Sequence, residues 1–393
     1  MQPDISNTIF QKAVAFITQT NRHLFLTGKA GTGKTTFLKY IREHCFKKMA
    51  VVAPTGVAAI NAGGVTIHSL FQLPFGMYLP FHPSSWGNTE TNIYNKNQLL
   101  GKLRLSASKR ELIRELDLLI IDEVSMVRAD LLDAIDTVLR AIRRAEMPFG
   151  GVQMLYIGDL FQLPPVVKEE EWELMQDIYQ SPFFFDAQAV REAAPVYLEL
   201  KHIYRQSDPR FIRLLNNVRN NCCTEGDLQE LHSRCKPRFI PPEEEGYITL
   251  TSHNYKADAI NRDRLAKLPG KIFKAEADIS GDFPENAYPA ARTLHLKTGA
   301  QIMFIKNDKG ETRRYFNGKI GTIQKIDEKG KKIQVVFPND PYPLELSLET
   351  WANIRYQYDK EKDRILEEEL GSFTQYPIRL AWAITIHKSQ GLT

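Results

Sequence analysis

The sequence predicts an α/β protein built on a parallel β-sheet with helices on its faces. The glycine-rich stretch GKAGTGKT, residues 28–35, lies between the apolar run HLFLT and the amphipathic run TTFLKYIREHCF, typical of a short buried strand and a helix. A second apolar run, LLII at residues 118–121, ends directly in two acidic side chains. With three further apolar runs near residues 50, 155 and 197, strands alternate with helical patterns through the first 200 residues, which is typical of a parallel sheet.

The composition is that of a soluble globular protein with room for two or three domains. Of its 393 residues, 43% are hydrophobic and 25% are charged, and no apolar run approaches the ~20 residues that span a bilayer. The polar start MQPDISNTIF is unlike a secretory signal. The net charge of +4, from 51 basic and 47 acidic side chains, permits a nucleic-acid partner without arguing for one. We therefore expect a cytoplasmic protein with no membrane partner.

The four cysteines, which include Cys45, favour reduced thiols over disulfides or a metal site. The neighbours Cys222 and Cys223 have poor geometry for a disulfide, and no C-x-x-C pair occurs. Cys223, His232 and Cys235 can be drawn as zinc ligands, but their spacing matches no recognised zinc motif.

Residues 28–35 fit the phosphate-binding pattern G-x-x-x-x-G-K-[ST] at every position. Glycines allow backbone N–H groups to turn toward oxygen anions, and the N-terminus of the following helix adds partial positive charge. Lys34 is expected to reach the β and γ phosphates, and Thr35 to bind Mg²⁺. The alternative is a glycine turn with an incidental lysine. The residues predicted to bind the nucleotide in this loop are Gly28, Ala30, Gly31, Thr32, Gly33, Lys34, Thr35 and Thr36.

Two carboxylates follow the apolar run at residues 118–121. Ligands bind at the C-terminal ends of strands in open α/β sheets, so Asp122 is expected to hold Mg²⁺ through water. Glu123 is expected to polarise the attacking water as general base. The alternative is a helix cap followed by an acidic first turn.

The loops after two other predicted strands carry small and aromatic residues. APTGVAAINAGGVTIHSLF, residues 53–71, brings a hydroxyl at Thr55 and the rings of His68 and Phe71. Small residues let backbone approach a polyanion, and rings can stack on bases. Gln162, in GDLFQLPPV, is expected to lie beside the γ phosphate and couple it to a moving loop.

Six stretches in order resemble the Pif-type (petite integration frequency) DNA helicases of superfamily 1, relatives of the RecD helicases. They are GKAGTGKTT, APTGVAAINAGGVTIHSLF, IIDEVSM, IGDLFQLPPV, IYRQSDPRF and YPIRLAWAITIHKSQGLT. The resemblance extends from about residue 8 to the last residue. It implies an ATP-dependent, Mg²⁺-dependent helicase that moves 5′ to 3′ on single-stranded DNA. The implied partners are single-stranded, forked or G-quadruplex DNA or RNA–DNA hybrids. The absence of long appended tails leads us to expect a compact bacterial monomer, associated with the nucleoid.

The same resemblance assigns further residues by position. Gln11 matches the adenine-reading glutamine, Arg205 the arginine that reaches the γ phosphate, and Gly391 a nucleotide-site glycine. Helix-surface and ion-pair roles remain alternatives for the first two. The residues implied to contact DNA, for each of which capping or core packing remains open, are Pro54, Thr55, Gly56, Val57, His68, Ser69, Phe71, His253, Asn254, His387, Lys388 and Ser389. Lys306 and Arg314 lie in a predicted hairpin rich in basic and aromatic residues, and they are also candidate DNA contacts. The alternative is that both are solvated charges on the protein surface.

The resemblance also implies the domain organisation. It implies two RecA-like parallel-sheet cores: the first from residues 1–72 and 108–200, and the second from 201–291 and 371–393. Residues 73–107 are expected to form a wedge or pin insertion, because residues 73–99 show no regular period; an inert surface loop is the alternative. Residues 292–370 alternate apolar and polar side chains, which indicates a small β barrel, SH3-like in the family.

In the family a further strand and a final motif, with a second arginine facing the nucleotide, follow KSQGLT, where this sequence ends. The expectation is that nucleotide and DNA binding survive better than hydrolysis, since such an arginine acts on the transition state. Two other functions therefore stay open beside the helicase. One is a phosphate-loop ATPase or kinase without nucleic acid, and the other is an ATP-gated DNA-binding protein with impaired hydrolysis.

Overall fold

The computed structural model describes residue 4 and residues 6–80, 93–204, 208–242, 246–308, 310, 314–327, 332–338 and 340–390, with only the backbone of 341 and 387. The chain divides into two compact units. The first contains residues 1–204 and 353–370, and the second contains residues 205–352 and 371–393. Within the described ranges, no helix combines the length and the apolarity needed to cross a membrane.

The first unit alternates strands and helices along the chain. Its helices are α1 (Thr8–Gln19), α2 (Lys34–His44), α3 (Gly56–Ala62), α4 (Ile67–Phe71), α5 (Lys96–Lys102), α6 (Ala107–Glu115), α7 (Ala129–Arg143), α8 (Glu169–Met175) and α9 (Gln188–Glu192). Its strands are β1 (Leu24–Gly28), β2 (Met49–Ala53), β3 (Val65–Thr66), β4 (Met77–Tyr78), β5 (Ile93–Tyr94), β6 (Leu118–Ile121), β7 (Gln153–Gly158) and β8 (Val196–Leu200).

Six of these strands form one parallel sheet in the order β3-β2-β6-β7-β1-β8. Five of them are the apolar runs from which the sheet was predicted, so the parallel α/β core is confirmed. The two-residue edge strand β3 was not predicted, because two residues carry no periodicity. The chain leaves β1 toward β2 on one side and reaches β8 on the other, so the loop after β1 lies at a topological switch point.

Both faces of the sheet are buried, which explains why its strands are continuous apolar runs. Leu118 and Ile120 of β6 pack with α1 and α2, whereas Leu119 and Ile121 pack with α7 on the opposite face. All four side chains have zero exposure. Successive side chains of a strand point to opposite faces, so a single apolar run supplies both layers.

The segment at residues 73–107, described at 73–80 and 93–107, is more regular than the sequence indicated. A reciprocal capping box between Asn95 and Gln98 starts α5, and β4 pairs with β5. Met77, Tyr78 and Leu99 are buried in the same cluster as the sheet. The segment is therefore anchored on the core. Most of its predicted pin, residues 81–92, lies outside the described residues.

The second unit is mostly antiparallel. Its helices are α10 (Pro209–Arg219), α11 (Glu225–Ser233), α12 (Asn254–Lys267) and α13 (Ile386–Ser389). Its strands are β9 (Thr249–Thr251), β10 (Phe273–Glu276), β11 (Asp278–Gly281), β12 (Thr293–Leu296), β13 (Gln301–Phe304), β14 (Ile320–Asp327), β15 (Lys332–Phe337), β16 (Asp340–Glu345), β17 (Glu349–Asp359), β18 (Arg364–Gln375), β19 (Ile378–Leu380) and β20 (Ala383–Thr385), of which β17 and β18 contribute residues 353–370 to the first unit.

The second unit's main sheet has five antiparallel strands in the order β16-β15-β14-β13-β19. Its apolar side chains form a separate buried cluster that includes Ile302, Ile333 and Val335. The SH3-like character of this region stays a prediction. In the described residues, the second predicted core is represented by the parallel pair β9–β20, against which α12 packs.

The ends of β17 and β18 that meet at residues 359–364 lie with the first unit, whereas the sequence interpretation placed all of 292–370 in the barrel. The Tyr356 ring is buried in the first unit's core, and its hydroxyl accepts a 3.1 Å hydrogen bond from the Val51 N–H. Lys48 adds ion pairs to Glu115 at 2.9 Å and Asp363 at 2.7 Å. These long-range contacts leave no local signal, since alternation predicts a strand and not its partner.

A half-buried histidine makes the first unit's stability depend on pH. The backbone N–H of Met154 donates to His23 Nδ1 at 3.1 Å, and the ring packs edge-on against Phe149. Burial lowers the pKa of His23 to about 4. Between this value and the ordinary pKa near 6.5, the unfolded chain binds more protons than the folded chain.

We expect the stability of the wild type, measured by thermal denaturation, to fall as the pH decreases from 6.5 toward 4, by up to about 3 kcal/mol in this window. His23→Asn keeps an acceptor for Met154 N–H but does not titrate, so its stability should change less. His295→Asn, at an exposed histidine, is the matched control. Parallel pH profiles for wild type and His23→Asn would contradict the burial of a neutral imidazole.

Candidate nucleotide and nucleic-acid site

The loop between β1 and α2 requires glycine at both ends. A Cβ on Gly28, whose φ is +156°, would lie 2.5 Å from Thr32 Oγ1 and 2.6 Å from the carbonyl oxygen of Leu200. Gly33 has a φ of +94° and begins α2 in a left-handed conformation that favours glycine. The loop is therefore held close to β8, with the first backbone N–H groups of α2 at its end.

Lys34 lies at the first position of α2 and folds back over the loop. Its Nζ donates to the carbonyl oxygens of Gly28 at 2.6 Å and Lys29 at 3.2 Å. Thr32 Oγ1 also donates to the Lys29 carbonyl, at 2.8 Å. An ammonium together with the first backbone N–H groups of a helix is suited to phosphate oxygens. Thr35 and Thr36 follow in the first turn of α2, and Thr35 is exposed.

Asp122 and Glu123 follow β6, two strands from β1 in the sheet. Burial, followed by the charge of Glu123, raises the pKa of Asp122 to about 7, and the Lys34 ammonium opposes this rise. Burial likewise raises the pKa of Glu123, and Lys34 again lowers it. The structure therefore brings the lysine and both carboxyls together, as the sequence predicted.

The backbone aims these carboxyls differently. Glu123 has a φ of +51° and a ψ of +43°, which is uncommon for a residue other than glycine. The strain turns the chain at the strand end, so the two neighbouring residues do not continue the alternation of β6. The Asp122 carboxyl and the Thr35 hydroxyl are hard oxygen donors of the kind that Mg²⁺ prefers, and a divalent cation would relieve the repulsion between the two acids.

Gln162 is oriented by Asp159, the acid that directly follows β7. Its Nε2 donates to Asp159 Oδ2 at 3.0 Å, and the backbone N–H of Phe161 donates to Asp159 Oδ1 at 3.2 Å. Asp159 is buried, and its charge contributes to the raised pKa of Glu123. The ends of β6 and β7 are therefore electrostatically coupled, and Gln162 is tied to that pair.

Tyr204 is a contact of the phosphate loop that sequence reasoning missed. Its backbone N–H donates to the Gly31 carbonyl at 2.8 Å, and its hydroxyl donates to Asp4 Oδ2 at 2.6 Å. The only available signal was its place beside the predicted Arg205. Arg205 and Gly391 lie outside the described residues, and Gln11 is exposed on α1.

A second group of predicted residues follows β2 and β3 at the same edge of the sheet. Thr55 Oγ1 accepts from the Ala58 N–H at 3.3 Å and so caps α3, which matches the capping alternative. Val57 is 43% exposed, and the Ser69 N–H is capped by Thr66. The predicted residues of these loops that are exposed or half-buried are Pro54, Thr55, Gly56, Val57, His68 and Ser69.

Phe71 is the exception, and its predicted stacking role is corrected. Its ring has zero exposure and belongs to the core cluster of the sheet, so no base can reach it. The exposed ring nearby is Phe75, which is 75% exposed and stacks on His68 with centroids 4.9 Å apart and planes 20° apart. Burial lowers the pKa of His68, which favours a neutral ring in this stack. The sequence shows an aromatic residue at both positions, but it does not indicate which of the two rings faces the core.

In the second unit, the predicted residues at the strand ends are accessible. His253 and Asn254 are exposed at the start of α12, directly after β9, and Lys388 is exposed on α13, directly after β20. Ser389 Oγ donates to the Ile386 carbonyl at 2.8 Å. The side chain of His387 lies outside what the structure describes.

The two basic residues predicted on the barrel are engaged within the protein. Lys306 Nζ lies 2.6 Å from a Glu349 carboxylate oxygen and 4.6 Å from the centroid of the Trp351 ring. Arg314 pairs with Asp340 at 3.0 Å. Their charges are therefore compensated, which favours the structural alternative over DNA contact.

The structure gives no support to a zinc site. Where side chains are described, no group of three or more histidine, cysteine, aspartate or glutamate residues is placed to hold a metal ion. All four cysteines are free thiols.

Comparisons with known proteins agree on one family. A model described as PIF1-like helicase matches residues 2–226. The human ATP-dependent DNA helicase PIF1 is 32% identical over 397 residues, which cover 98% of this chain and 55% of that protein. The ATP-dependent DNA helicase Pif1 of Psychrobacter sp. is 30% identical over 433 residues, covering 96% of this chain and 61% of that protein. The chain thus spans about half the length of the curated relatives it matches.

Solved structures give the same result over the whole chain. Pif1 from Bacteroides sp. in complex with ADP-AlF4 superposes with a TM-score of 0.87 at 40% identity, covering 100% of this chain and 85% of that chain. Bacteroides Pif1 bound to single-stranded DNA gives a TM-score of 0.61 at 40% identity, with the same coverage.

Proposed function

Because the chain belongs to the PIF1-like helicase family, we propose that it is a motor that couples ATP hydrolysis to movement along single-stranded DNA. One observation carries the proposal. The phosphate loop and its two carboxyls lie at the same edge of the parallel sheet as the exposed loops that follow β2 and β3. A structural change at the nucleotide can therefore reach those loops through the few packed residues that lie between them.

In this proposal the first unit supplies the nucleotide chemistry. Lys34 and the loop N–H groups hold the β and γ phosphates, while Thr35 and Asp122 hold Mg²⁺, which neutralises phosphate charge. Glu123 accepts a proton from the attacking water, and Gln162 follows the γ phosphate. Arg205 would complete the charge stabilisation of the transition state.

The proposed DNA contacts use no base-specific group. The loops after β2, β3, β9 and β20 offer hydroxyls, backbone amides, imidazoles and one lysine, which suit phosphates and ring faces. Solved relatives support this class of substrate, because Bacteroides Pif1 is known bound to single-stranded DNA and two coordinating Pif1 helicases are known in a structure that addresses unwinding of forked duplex DNA. From the family resemblance we extend the proposal to 5′→3′ movement and to G-quadruplex and RNA–DNA hybrid substrates. We also propose that the protein acts as a monomer at the bacterial nucleoid.

Strand separation is the direct test. A duplex with a 5′ single-stranded tail should be unwound with ATP and Mg²⁺, and the same duplex with a 3′ tail should not. Unwinding from the 3′ tail would contradict the direction, and unwinding from neither tail would contradict the helicase proposal. Gel separation of labelled strands after rapid mixing measures both.

Glu123→Gln should retain ATP-analogue binding and lose hydrolysis by about 10²-fold or more, because the amide cannot accept the proton. Glu173→Gln, at an exposed glutamate of α8, is the matched control and should hydrolyse ATP like the wild type. Steady-state phosphate release measures the rates. A Glu123→Gln rate within a few-fold of the wild type would remove Glu123 from the proposed mechanism.

Phe75→Ala should weaken binding of labelled oligo-dT about tenfold, since stacking contributes roughly 1–3 kcal/mol per base. Phe46→Ala is the matched control, because Phe46 is fully exposed and precedes β2, at the edge of the sheet away from the loops after β2 and β3. Fluorescence anisotropy measures both affinities. Equal affinities for the two variants would show that the Phe75–His68 stack does not hold a base.

A further inference from the structure

Tyr78 is fixed to helix α7 at two points. Its backbone N–H donates to Asp130 Oδ2 at 3.0 Å, and its hydroxyl oxygen lies 2.6 Å from Thr137 Oγ1, within hydrogen-bond distance. Asp130 and Thr137 are seven residues apart, about two turns, so they lie on the same face of α7. All three residues are buried. Tyr78 therefore lies along the helix, with its backbone held at one point and its ring at the other.

The Asp130 carboxylate is itself held by an arginine. Arg128 Nε donates to Asp130 Oδ1 at 2.9 Å, and Arg128 Nη2 donates to Asp130 Oδ2 at 2.8 Å. The third nitrogen, Nη1, donates to Glu171 Oε2 of α8 at 3.0 Å. A planar guanidinium with all three nitrogens engaged fixes the plane of the carboxylate that it contacts. Asp130 Oδ2 is thus presented to the Tyr78 N–H in one orientation.

Tyr78 in turn fixes the segment that carries Phe75. Phe75 lies three residues before Tyr78, and Met77 between them is fully buried. The pairing of β4 with β5 and a 3.4 Å hydrogen bond from the Tyr94 hydroxyl to the Phe75 carbonyl hold the same segment. His68, on which the Phe75 ring stacks, is carried separately by α4. The stack therefore depends on where Tyr78 is held.

The far end of α7 carries an ion-pair cluster of the same kind. Arg140 Nε donates to Asp136 Oδ2 at 2.8 Å, and Arg140 Nη2 donates to Glu192 Oε2 at 2.6 Å. Because α7 connects the parallel strands β6 and β7, it begins at the edge of their carboxyl ends and runs toward the opposite edge. Arg140 thus has the same chemistry on the same helix, away from the proposed DNA-binding loops.

We propose that Arg128 and Asp130 are positioning residues for DNA binding. Their ion pair fixes Tyr78 on α7 and thereby holds the Phe75 ring in its stack with His68, where the ring receives a base of single-stranded DNA. Neither charged side chain contacts the DNA. This inference rests on the proposed stacking of a base on Phe75, and it adds two residues that lie outside every motif of the sequence.

A double-mutant cycle with Phe75→Ala tests the inference through the anisotropy of labelled oligo-dT. Arg128→Lys keeps the charge, but one ammonium cannot hold both carboxylate oxygens in a plane and also reach Glu171, so binding should weaken about fivefold. In the Phe75→Ala background the same substitution should change affinity less than about twofold, because the ring that it positions is gone. Arg140→Lys, the matched control, should leave affinity unchanged in both backgrounds.

Tyr78→Phe is the second variant, and it decides the question if Arg128→Lys does not fold. It removes only the hydroxyl that contacts Thr137, so it should weaken binding about twofold, and only when Phe75 is present. Thermal denaturation confirms that each variant is folded at the temperature of the binding assay.

Wild-type affinity for Arg128→Lys, or equal weakening with and without Phe75, would overturn the inference, and the same criteria apply to Tyr78→Phe. Wild-type affinity for Phe75→Ala would also overturn it, because no base would then be held by the ring, while the strand-separation assay would still decide the motor proposal. Failure of the wild type itself to bind oligo-dT would instead overturn the proposed function.

Discussion

The parallel hydrogen bonding of β2, β6, β7 and β1 is the constraint on which the rest depends, because it brings every strand's carboxyl end to one edge. At that edge the Lys34 ammonium lies over the loop carbonyls and acts on both Asp122 and Glu123. The two carboxyls repel each other and are poorly hydrated, which the raised pKa of Asp122 reports. The site therefore stores an electrostatic imbalance that phosphate and a divalent cation together would relieve. In the proposed function, a nucleotide bound with Mg²⁺ supplies both of these charges.

The same edge connects chemistry to the neighbouring loops through short, rigid links. Asp159 accepts a hydrogen bond from Gln162 and raises the pKa of Glu123. The charge of Asp159 therefore acts on residues that follow both β6 and β7. The Asp122 N–H donates to the Val52 carbonyl at 2.9 Å, and β2 continues into the loop that precedes α3. Tyr204, the last residue of the first unit's long segment, donates its backbone N–H to the Gly31 carbonyl and so ties the end of that segment to the phosphate loop. These contacts give the proposed coupling a structural basis that needs no unusual flexibility.

The sequence predicted the sheet and the phosphate loop because both depend on local patterns: continuous apolar runs, glycine spacing and acids at a strand end. It predicted less where a residue's direction depends on tertiary packing. Phe71 and Phe75 are both aromatic, and only the packing of α4 on the sheet decides that the first is buried and the second exposed. Tyr356 was expected in the barrel, yet its hydroxyl bonds to Val51 because residues 353–370 pack on the first unit. Likewise, Lys306 and Arg314 were predicted to contact DNA from a basic and aromatic hairpin. The carboxylates that compensate them lie 43 and 26 residues away along the chain, so no local pattern indicates these ion pairs.

Coupling between the two ends of this edge is the central claim, and ATP hydrolysis titrated with oligo-dT tests it most directly. The account predicts slow hydrolysis by the protein alone and a saturable rise as oligo-dT binds, with half-saturation at the oligo-dT concentration that half-saturates binding. An unchanged rate while anisotropy shows oligo-dT fully bound would contradict it. The nucleotide site and the proposed DNA-binding loops would then lie at the same edge of the sheet without being energetically coupled.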